Sequence, residues 1–329
     1  MQRILLTGSS GLIGARLAHT LVQQGHRVVG IDKEYDDGDA VIKARRLAAL
    51  RKLDDFEYHK VDITDEKALS EVVRMHEYSA TINLAAYAGV RQSRDNPPEF
   101  FRNNLVGNVI LLEEVCKAGI KKYLVASSSS VYGDSGEAFS KEDDPVNEPM
   151  SPYATTKCCT ELTSRTHQVM FDMDMAVMRF FTTYGPWGRP NMLMTRVVKW
   201  VVEGEPVAVL GDGSASRSFI YVDDLVDGII AMLDRAKGYQ TYNLGGAQRV
   251  SVNDVIATVE RMTGRKADVR HLPGDPADAP HSLADISRAK AELDWEPKVD
   301  IKTGIGRLVE WYMEHRSWLK EAIPSPSLP

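Results

Sequence analysis

The 329-residue sequence contains little cysteine and no long apolar segment. Its three cysteines are Cys116, Cys158 and Cys159, two of them adjacent, and none belongs to a C-x-x-C pair or a His/Cys cluster. This pattern excludes a disulfide framework and a zinc site, and it favours free thiols in a reducing cytosol. No stretch approaches the roughly 18 apolar residues that a membrane-spanning helix needs. The apolar run at residues 4–6 is broken at once by Gly8, so we predict no signal peptide and a soluble protein in the cytoplasm.

The sequence also lacks an excess of positive charge. It has 40 Lys and Arg residues against 46 Asp and Glu, a formal net charge of −6. Binding to a nucleic acid or to an anionic membrane needs clustered cations, so we expect neither partner. Any phosphate group should instead be held locally, by backbone amides and a few arginines. No metal site is predicted.

Short apolar runs alternate with amphipathic segments along the chain. Strands are predicted at residues 3–7, 27–31, 57–61, 81–84, 123–126, 176–180 and 219–222, and helices at 12–24, 41–53, 153–171, 193–203 and 305–318. This alternation predicts an α/β fold, a doubly wound parallel sheet of the Rossmann type with a smaller α/β carboxy-terminal lobe. We expect a nucleotide-binding domain over residues 1–180, a mainly substrate-binding lobe over 181–322 and a flexible tail over 323–329. The first boundary should not be sharp, because such folds pass the chain between the two halves.

A glycine-rich turn follows the first predicted strand. Gly8, Gly11 and Gly14 have the G-x-x-G-x-x-G spacing, which lets the backbone approach a pyrophosphate at a helix N-terminus. Asp32 ends the second strand, where a carboxylate accepts hydrogen bonds from the adenosine ribose and repels a 2′-phosphate. Together they predict a site for NAD rather than NADP. The predicted cofactor-binding residues are Gly8, Ser10, Gly11, Leu12, Ile13, Gly14, Asp32, Lys33, Asp62, Ile63, Leu84, Ala85, Ala86 and Phe180, with Tyr153 and Lys157.

Tyr153 and Lys157 are four residues apart, on one face of a predicted helix. A phenol with a pKa of about 10 is a poor base at neutral pH. A nearby ammonium group, together with the positive charge of nicotinamide, should lower that pKa. Ser128, in the four-serine run that ends the fifth strand, can share a proton with a substrate hydroxyl and the tyrosine. We predict that these three residues are catalytic, although the spacing alone also fits a surface Tyr–Lys pair.

These motifs together resemble those of the extended short-chain dehydrogenases that modify nucleotide sugars. The resemblance covers nearly the whole chain and includes T-G-x-x-G-x-x-G at 7–14, S-S-S-S-V-Y-G at 127–133 and Y-x-x-x-K at 153–157. Four longer segments look like those of the UDP-glucuronate 4-epimerases: K-A-R-R-L at 43–47, A-G-V-R-Q-S at 88–93, R-F-F-T-T-Y-G-P-W-G-R-P at 179–190 and Y-V-D-D at 221–224.

The resemblance implies a specific reaction. Tyr153 would take the 4-hydroxyl proton while hydride passes from C4 to tightly bound NAD. The resulting 4-keto sugar would turn and receive the hydride on its other face, which converts UDP-glucuronate to UDP-galacturonate. Related dehydratases and decarboxylases carry Glu where this chain has Ser130, and the absence of that acid favours epimerisation.

The resemblance also implies contacts to the nucleotide sugar. Arg217 would pair with the diphosphate, and Asp275 would bind the uridine ribose, although His271 and Leu272 stand where the family usually has an arginine before Pro-Gly-Asp. The predicted substrate-binding residues are Gly89, Val90, Arg91, Ser128, Ser129, Ser130, Thr182, Arg189, Arg217 and Asp275.

Three alternatives to this function stay open at this point. The chain could epimerise another NDP-hexose, act as an NDP-sugar dehydratase, or be an NAD-binding sensor or scaffold without activity. The presence of Tyr153, Lys157 and Ser128 argues against the last. A homodimer through the helices near residues 100–117 and 153–171 is a further implication of the resemblance.

Overall fold

A computed structural model of the protein describes residues 1–34, 39–136, 138–274 and 279–326. Its strands are β1 (Arg3–Thr7), β2 (Arg27–Asp32), β3 (Phe56–Lys60), β4 (Ala80–Asn83), β5 (Lys122–Ser128), β6 (Phe139–Ser140), β7 (Asp174–Phe180), β8 (Thr183–Tyr184), β9 (Val207–Leu210), β10 (Ser216–Arg217), β11 (Ile220–Tyr221), β12 (Tyr239–Leu244), β13 (Val250–Ser251), β14 (Val269–Leu272) and β15 (His281–Ala284). Its α-helices are α1 (Leu12–Gln23), α2 (Ala40–Leu50), α3 (Glu66–Met75), α4 (Gln92–Asp95), α5 (Pro97–Phe101), α6 (Gly107–Lys117), α7 (Pro152–Phe171), α8 (Leu193–Glu203), α9 (Val222–Arg235), α10 (Val252–Thr263), α11 (Ser287–Leu293) and α12 (Ile301–Ala322).

The main layer is a seven-stranded parallel sheet in the order β3-β2-β1-β4-β5-β7-β12. Side chains alternate across it with a period of two. Ile4 and Leu6 therefore pack on one face with α1 and α9, whereas Leu5 packs on the other with α3 and α6. The apolar core on both faces explains why these strands read as continuous apolar runs. The structure confirms the predicted doubly wound fold.

The chain returns to this sheet after residue 180. Strand β12 pairs with β7, from Tyr239 opposite Met175 to Leu244 opposite Phe180. Helix α9, which precedes β12, packs against α1. The sheet therefore takes its last strand from the carboxy-terminal half, and the division at residue 180 stays a prediction.

A second core lies in the carboxy-terminal half, between α8, α10 and α12. Trp200, Ile305 and Tyr312 are almost completely buried there. The four-stranded sheet β13-β10-β15-β6 and the pair β14-β9 complete this part. Helix α12 starts four residues earlier than predicted because the Asp300 side chain accepts a hydrogen bond from the Thr303 backbone and caps it.

The first residues of the predicted tail pack against the second core, and the tail itself stays a prediction. Ile323 is 1% exposed and belongs to the second core. The Trp200 indole N–H donates to the Pro324 carbonyl, and the buried Lys199 ammonium donates to the Ser325 hydroxyl. Apolar burial and hydrogen bonds to α8 thus hold residues 323–325; the tail residues 327–329 lie outside the described part of the chain.

The sheet topology creates a crevice at the carboxyl ends of the strands. The connections from β1 and β4 lead to opposite sides of the sheet, and such a switch point is where open α/β sheets bind ligands. Within the described ranges, no helix has both the length and the apolar character to cross a membrane.

Candidate active site

A cavity of about 520 Å³ lies in this crevice, a size in the usual range for small-ligand sites. It brings together most of the predicted residues: Gly8, Gly11, Leu12, Ile13, Gly14, Asp32, Lys33, Ile63, Leu84, Ala85, Ala86, Gly89, Val90, Ser128, Ser129, Ser130, Tyr153, Lys157, Phe180, Thr182, Arg189 and Arg217. Ser10, Asp62 and Arg91 do not line it. Asp275 lies outside the described residues.

Two glycines of the turn lie too close to neighbouring backbone to carry a side chain. Gly8 has φ of +71°, and a Cβ there would lie 2.8 Å from the Leu84 carbonyl carbon. A Cβ on Gly14 would lie 2.1 Å from the Gly8 carbonyl oxygen. Because neither position has a side chain, the N-terminus of α1 opens directly onto the cavity, with free N–H groups available to an anion.

Asp32 is held at the rim of this turn. Its carboxylate accepts hydrogen bonds from the backbone of Ser10 at 3.1 Å and of Glu34 at 2.8 Å. Ser10 therefore contributes through its backbone, and its own side chain is buried. Two N–H donors fix the carboxylate at the cavity wall, which is the arrangement that a ribose-binding acid needs.

Asp62 faces Lys33 instead of the cavity. The Lys33 ammonium donates to Asp62 at 3.0 Å and lies 4.4 Å above the centre of the Tyr87 ring. Burial raises the pKa of Asp62, but hydrogen bonds from Thr64 and Lys33 outweigh it, so the pKa is lowered. Lys33 and Ile63, which are also among the predicted cofactor-binding residues, do line the cavity.

Helix α7 carries the predicted catalytic pair. It begins at Pro152, and the Ser151 side chain caps it by accepting a hydrogen bond from the Ala154 backbone. Tyr153 and Lys157 then point to β5, where the Lys157 ammonium donates to the Ala126 carbonyl at 2.8 Å. The same ammonium lies 5.9 Å from the centre of the Tyr153 ring.

Ser128 joins the pair from the end of β5. Its hydroxyl hydrogen bonds to the Tyr153 phenol. It also accepts from the Ser130 backbone at 3.2 Å and from the Ser130 hydroxyl at 3.0 Å. Since the Ser128 oxygen accepts two hydrogen bonds, its own proton is available for Tyr153 or for a ligand.

The pKa values of the pair differ from the sequence expectation. Burial raises the pKa of Tyr153, and the Ser128 hydrogen bond and the Arg189 charge offset this only in part. The pKa of Lys157 is lowered to about 8, because burial outweighs the attraction of Glu161. The expected lowering of the Tyr153 pKa is therefore not a property of the protein side chains alone, since the lysine ammonium bonds to a backbone carbonyl and itself pays for burial.

The other wall of the cavity comes from the carboxy-terminal half. Arg217 on β10 lies opposite Ser282 on β15, and the Ser282 hydroxyl donates to Ser129 at 3.1 Å. Arg189 and Thr182 line the same side. Arg91, by contrast, is exposed. The pKa of Arg196 is lowered by the burial of Arg196 itself and, to a smaller extent, by the positive charge of Arg91.

Sequence reasoning missed several lining residues. Asp39 and Lys43 of the α2 region reach the cavity, as do Asn103, Met192 and Ser282. Lys43 belongs to the segment at 43–47 that resembles a known family, but that resemblance assigned no role to Lys43. Ser282 lies in a four-residue strand with no recognisable motif, so no sequence pattern could have identified it. Among the described residues, no three His, Cys, Asp or Glu side chains are grouped to hold a metal ion.

Comparison with known proteins agrees with this arrangement. The model of the NAD dependent epimerase/dehydratase family matches residues 4–245. The chain belongs to this family. A UDP-glucuronate 4-epimerase of Thermodesulfobacterium geofontis is 41% identical over 317 residues, covering 96% of this chain and 98% of the relative.

Solved structures of family members share the fold. The UDP-glucuronic acid 4-epimerase of Bacillus cereus, in complex with UDP-glucuronic acid and NAD, superimposes with a TM-score of 0.90 at 30% identity and covers 95% of this chain and 99% of its own. A UDP-glucose 4-epimerase of Thermotoga maritima, with UDP-glucose, has a TM-score of 0.88 at 26% identity, with 95% and 99% covered.

Proposed function

We propose that the protein is an NAD-dependent UDP-glucuronate 4-epimerase that interconverts UDP-glucuronate and UDP-galacturonate. One observation carries the proposal. A single cavity holds the glycine turn with Asp32, the Ser128–Tyr153–Lys157 group, and two arginines at 189 and 217. The same cavity can therefore bind a dinucleotide, offer a proton acceptor to a sugar hydroxyl and pair two cations with a diphosphate. The two UDP-glucuronate 4-epimerases described above, at 41% and 30% identity, support the choice of sugar.

The cavity suits NAD for steric and electrostatic reasons. The bare backbone at Gly8 and Gly14 and the open N-terminus of α1 can take the pyrophosphate, and Asp32 can take the ribose hydroxyls. When bound, NAD supplies the chemistry of accepting hydride from C4 of the sugar and returning it.

The chain's own residues move the proton. Tyr153 accepts the 4-hydroxyl proton, and the Ser128 hydrogen bond and the Arg189 charge lower its pKa against the effect of burial. The Lys157 ammonium, 5.9 Å from the ring centre, would add its positive charge to that of bound nicotinamide and so favour the phenolate. Ser130 has no acidic group to support elimination or decarboxylation, so the 4-keto sugar loses neither water nor carbon dioxide. Arg217 and Arg189 hold the diphosphate during the turn of the sugar, and Ser129 and Ser130 face the C6 carboxylate.

The assay for this function uses UDP-glucuronate with the purified protein. We expect UDP-galacturonate to form until equilibrium, with no net release of NADH and no loss of carbon dioxide. UDP-glucose and a UDP-N-acetylhexosamine serve as competing substrates. A product without its carboxyl group or lacking water would contradict the proposal, and conversion of the neutral sugars alone would point to another NDP-hexose 4-epimerase.

Asp32 is expected to set the preference between NAD and NADP. Replacing Asp32 with serine removes both the acceptor for the ribose hydroxyls and the charge that repels a 2′-phosphate. We expect affinity for NAD to fall on the order of tenfold to a hundredfold, with a smaller loss for NADP. Calorimetric titration of both cofactors measures this, with the exposed Asp54→Ser as control. If the ratio of the NAD and NADP affinities did not change, Asp32 would not contact the adenosine ribose.

The pKa of Lys157 predicts the alkaline limit of activity. An amine is charged below its pKa and neutral above it, and the phenolate needs the charge. Since this pKa is about 8, we expect kcat to fall as the pH rises above about 8. A pH profile of kcat measures it. A constant kcat between roughly pH 8 and pH 10, below the usual lysine value, would show that the ammonium is not required.

We also propose a homodimer formed through α6 and α7. Leu162, Val169 and Met170 on α7 are 69%, 68% and 64% exposed, and Val106 just before α6 is 49% exposed. His167 on α7 bonds to Glu113 on α6 at 2.9 Å, so the two helices form one surface. Leu162→Glu should convert the dimer to a monomer in sedimentation experiments, whereas Met313→Glu, at an exposed site on α12, should not. A wild-type monomer would contradict the proposal. Location in the cytoplasm stays a prediction.

A further inference from the structure

Arg46 on α2 connects two turns that are distant in sequence. Its side chain is 3% exposed. Its Nη1 donates to the Ser10 carbonyl at 3.0 Å, while Nε donates to the Trp187 carbonyl at 3.0 Å and Nη2 contacts the same oxygen. The Asp39 carboxylate lies 3.6 Å away and balances the buried charge. One guanidinium group thus joins the glycine turn to the segment before Arg189.

The turn at 185–188 has a backbone conformation that needs this support. The Gly188 N–H donates to the Gly185 carbonyl at 3.1 Å, Pro186 takes the second position, and Trp187 in the third has φ of +65°. A turn with positive φ at its third residue usually has glycine there. The Trp187 ring packs 5.5 Å from the ring of Trp311. The indole packing and the Arg46 donors together stabilise a conformation that tryptophan rarely adopts.

Each of the two turns adjoins residues that line the cavity, Gly11 for the glycine turn and Arg189 for the turn at 185–188. Ser10 precedes Gly11 at the start of α1 and donates its N–H to Asp32. Arg189 follows Trp187 by two residues, and its carbonyl accepts a hydrogen bond from the Met192 backbone at 3.1 Å. A fixed Trp187 carbonyl therefore restricts where the Arg189 backbone lies relative to the cofactor turn.

We propose that Arg46 is a positioning residue that holds the 185–188 turn against the glycine turn, and so places Arg189 for the diphosphate of the nucleotide sugar. The inference rests on the proposed function, in which Arg189 contacts that diphosphate. Arginine suits the role because its planar fork reaches both carbonyls at once, whereas a lysine ammonium is a point charge on a flexible stem.

A double-mutant cycle between Arg46 and Arg189 tests the proposal. The NAD-loaded proteins R46Q, R189Q and R46Q/R189Q are compared for KM and kcat with UDP-glucuronate, at saturating added NAD. We expect R46Q to raise KM on the order of tenfold with a smaller change in kcat. In the R189Q background, R46Q should raise KM by less than about twofold, because its effect acts through Arg189. R46K should lie between wild type and R46Q.

Arg45→Gln is the matched control. Arg45 lies 4.3 Å above the ring of Trp318, which forms an aromatic cluster with Trp187 and Trp311. We expect its KM and kcat to equal those of the wild type. Thermal midpoints report whether each variant is folded; if R46Q is not, the cycle is carried out with R46K.

The outcomes separate the inference from the proposed function. The positioning role is overturned if the Arg46 and Arg189 substitutions raise KM by independent factors that multiply in the double variant. It is also overturned if KM is unchanged in the Arg46 variants. Either result leaves the epimerase activity standing. An unchanged KM in R189Q would instead refute the diphosphate contact within the proposed function, and the positioning role would fall with it. An Arg45→Gln effect as large as that of R46Q would assign the result to general loosening of the aromatic cluster and overturn the inference.

Discussion

Replacing Tyr153 with phenylalanine is expected to lower kcat on the order of a thousandfold, because a positioned acid–base group contributes roughly 10² to 10⁴ in rate. The substitution removes the oxygen that accepts the 4-hydroxyl proton. It keeps the ring, which packs edge to face with Phe100 at 6.4 Å between centres. Binding of UDP-glucuronate and retention of NAD should therefore change little. Product formation, calorimetry and NAD content of the purified variant measure the three quantities separately.

The control for this substitution is Tyr78→Phe. The Tyr78 hydroxyl is buried and donates to the Val72 carbonyl at 2.9 Å, outside the cavity. Its loss should cost about 1 kcal/mol of stability and leave kcat at the wild-type value. A Tyr153→Phe protein that turns over at the wild-type rate would refute the mechanism. A variant that is inactive and also no longer binds the sugar would assign Tyr153 to binding instead of proton transfer.

Removing the Glu161 carboxylate is expected to have the largest effect on stability. Glu161 and Arg179 form a buried ion pair, with Arg179 Nε to Oε1 at 3.0 Å and Nη2 to Oε2 at 2.8 Å. Their side chains are 8% and 5% exposed. Glu161→Ala leaves the arginine charge buried without its carboxylate, which costs about 3–5 kcal/mol. We expect the thermal midpoint to fall on the order of 10 °C in a calorimetric scan.

Two further variants test the cause of that loss. Removing both charges with Glu161→Leu and Arg179→Met should recover much of the stability, because an apolar pair avoids the desolvation of two ions. The exposed pair Asp268–Arg270 is the control, and Asp268→Ala should cost less than about 1 kcal/mol. A double variant less stable than Glu161→Ala would show that the Arg179 bonds to Tyr132 and to the Glu142 carbonyl matter more than the ion pair.

The same carboxylate affects the chemistry. Glu161 is one helical turn beyond Lys157, and its charge raises the Lys157 pKa against the effect of burial. Without that charge, the alkaline fall in kcat should move to lower pH. The stability of the fold and the charge of the lysine therefore depend on one buried group.

Local patterns determined the positions of most secondary structure. The sequence placed β1 and α8 within their observed bounds because each depends on its own period of apolar residues. Strand β5 runs from Lys122 to Ser128, longer than predicted at both ends. Its neighbour β7 pairs with it residue by residue, opposite residues 174–180, and that pairing is not visible in either segment alone. Residues 220 and 221 form a two-residue strand only because β8 lies beside them.

By itself, the sequence was enough to predict the glycine turn, Asp32 and the Ser128–Tyr153–Lys157 group, since each is marked by residue types at fixed spacings along the chain. Only the tertiary structure decided that β12 completes the sheet, that Ser282 reaches Ser129, and that Asp62 turns to Lys33. It also decided the direction of the Tyr153 pKa, which depends on burial by distant parts of the chain. The physical reason is common to all four: contacts between segments far apart in sequence arise from packing in three dimensions, and no local pattern of residue types encodes them.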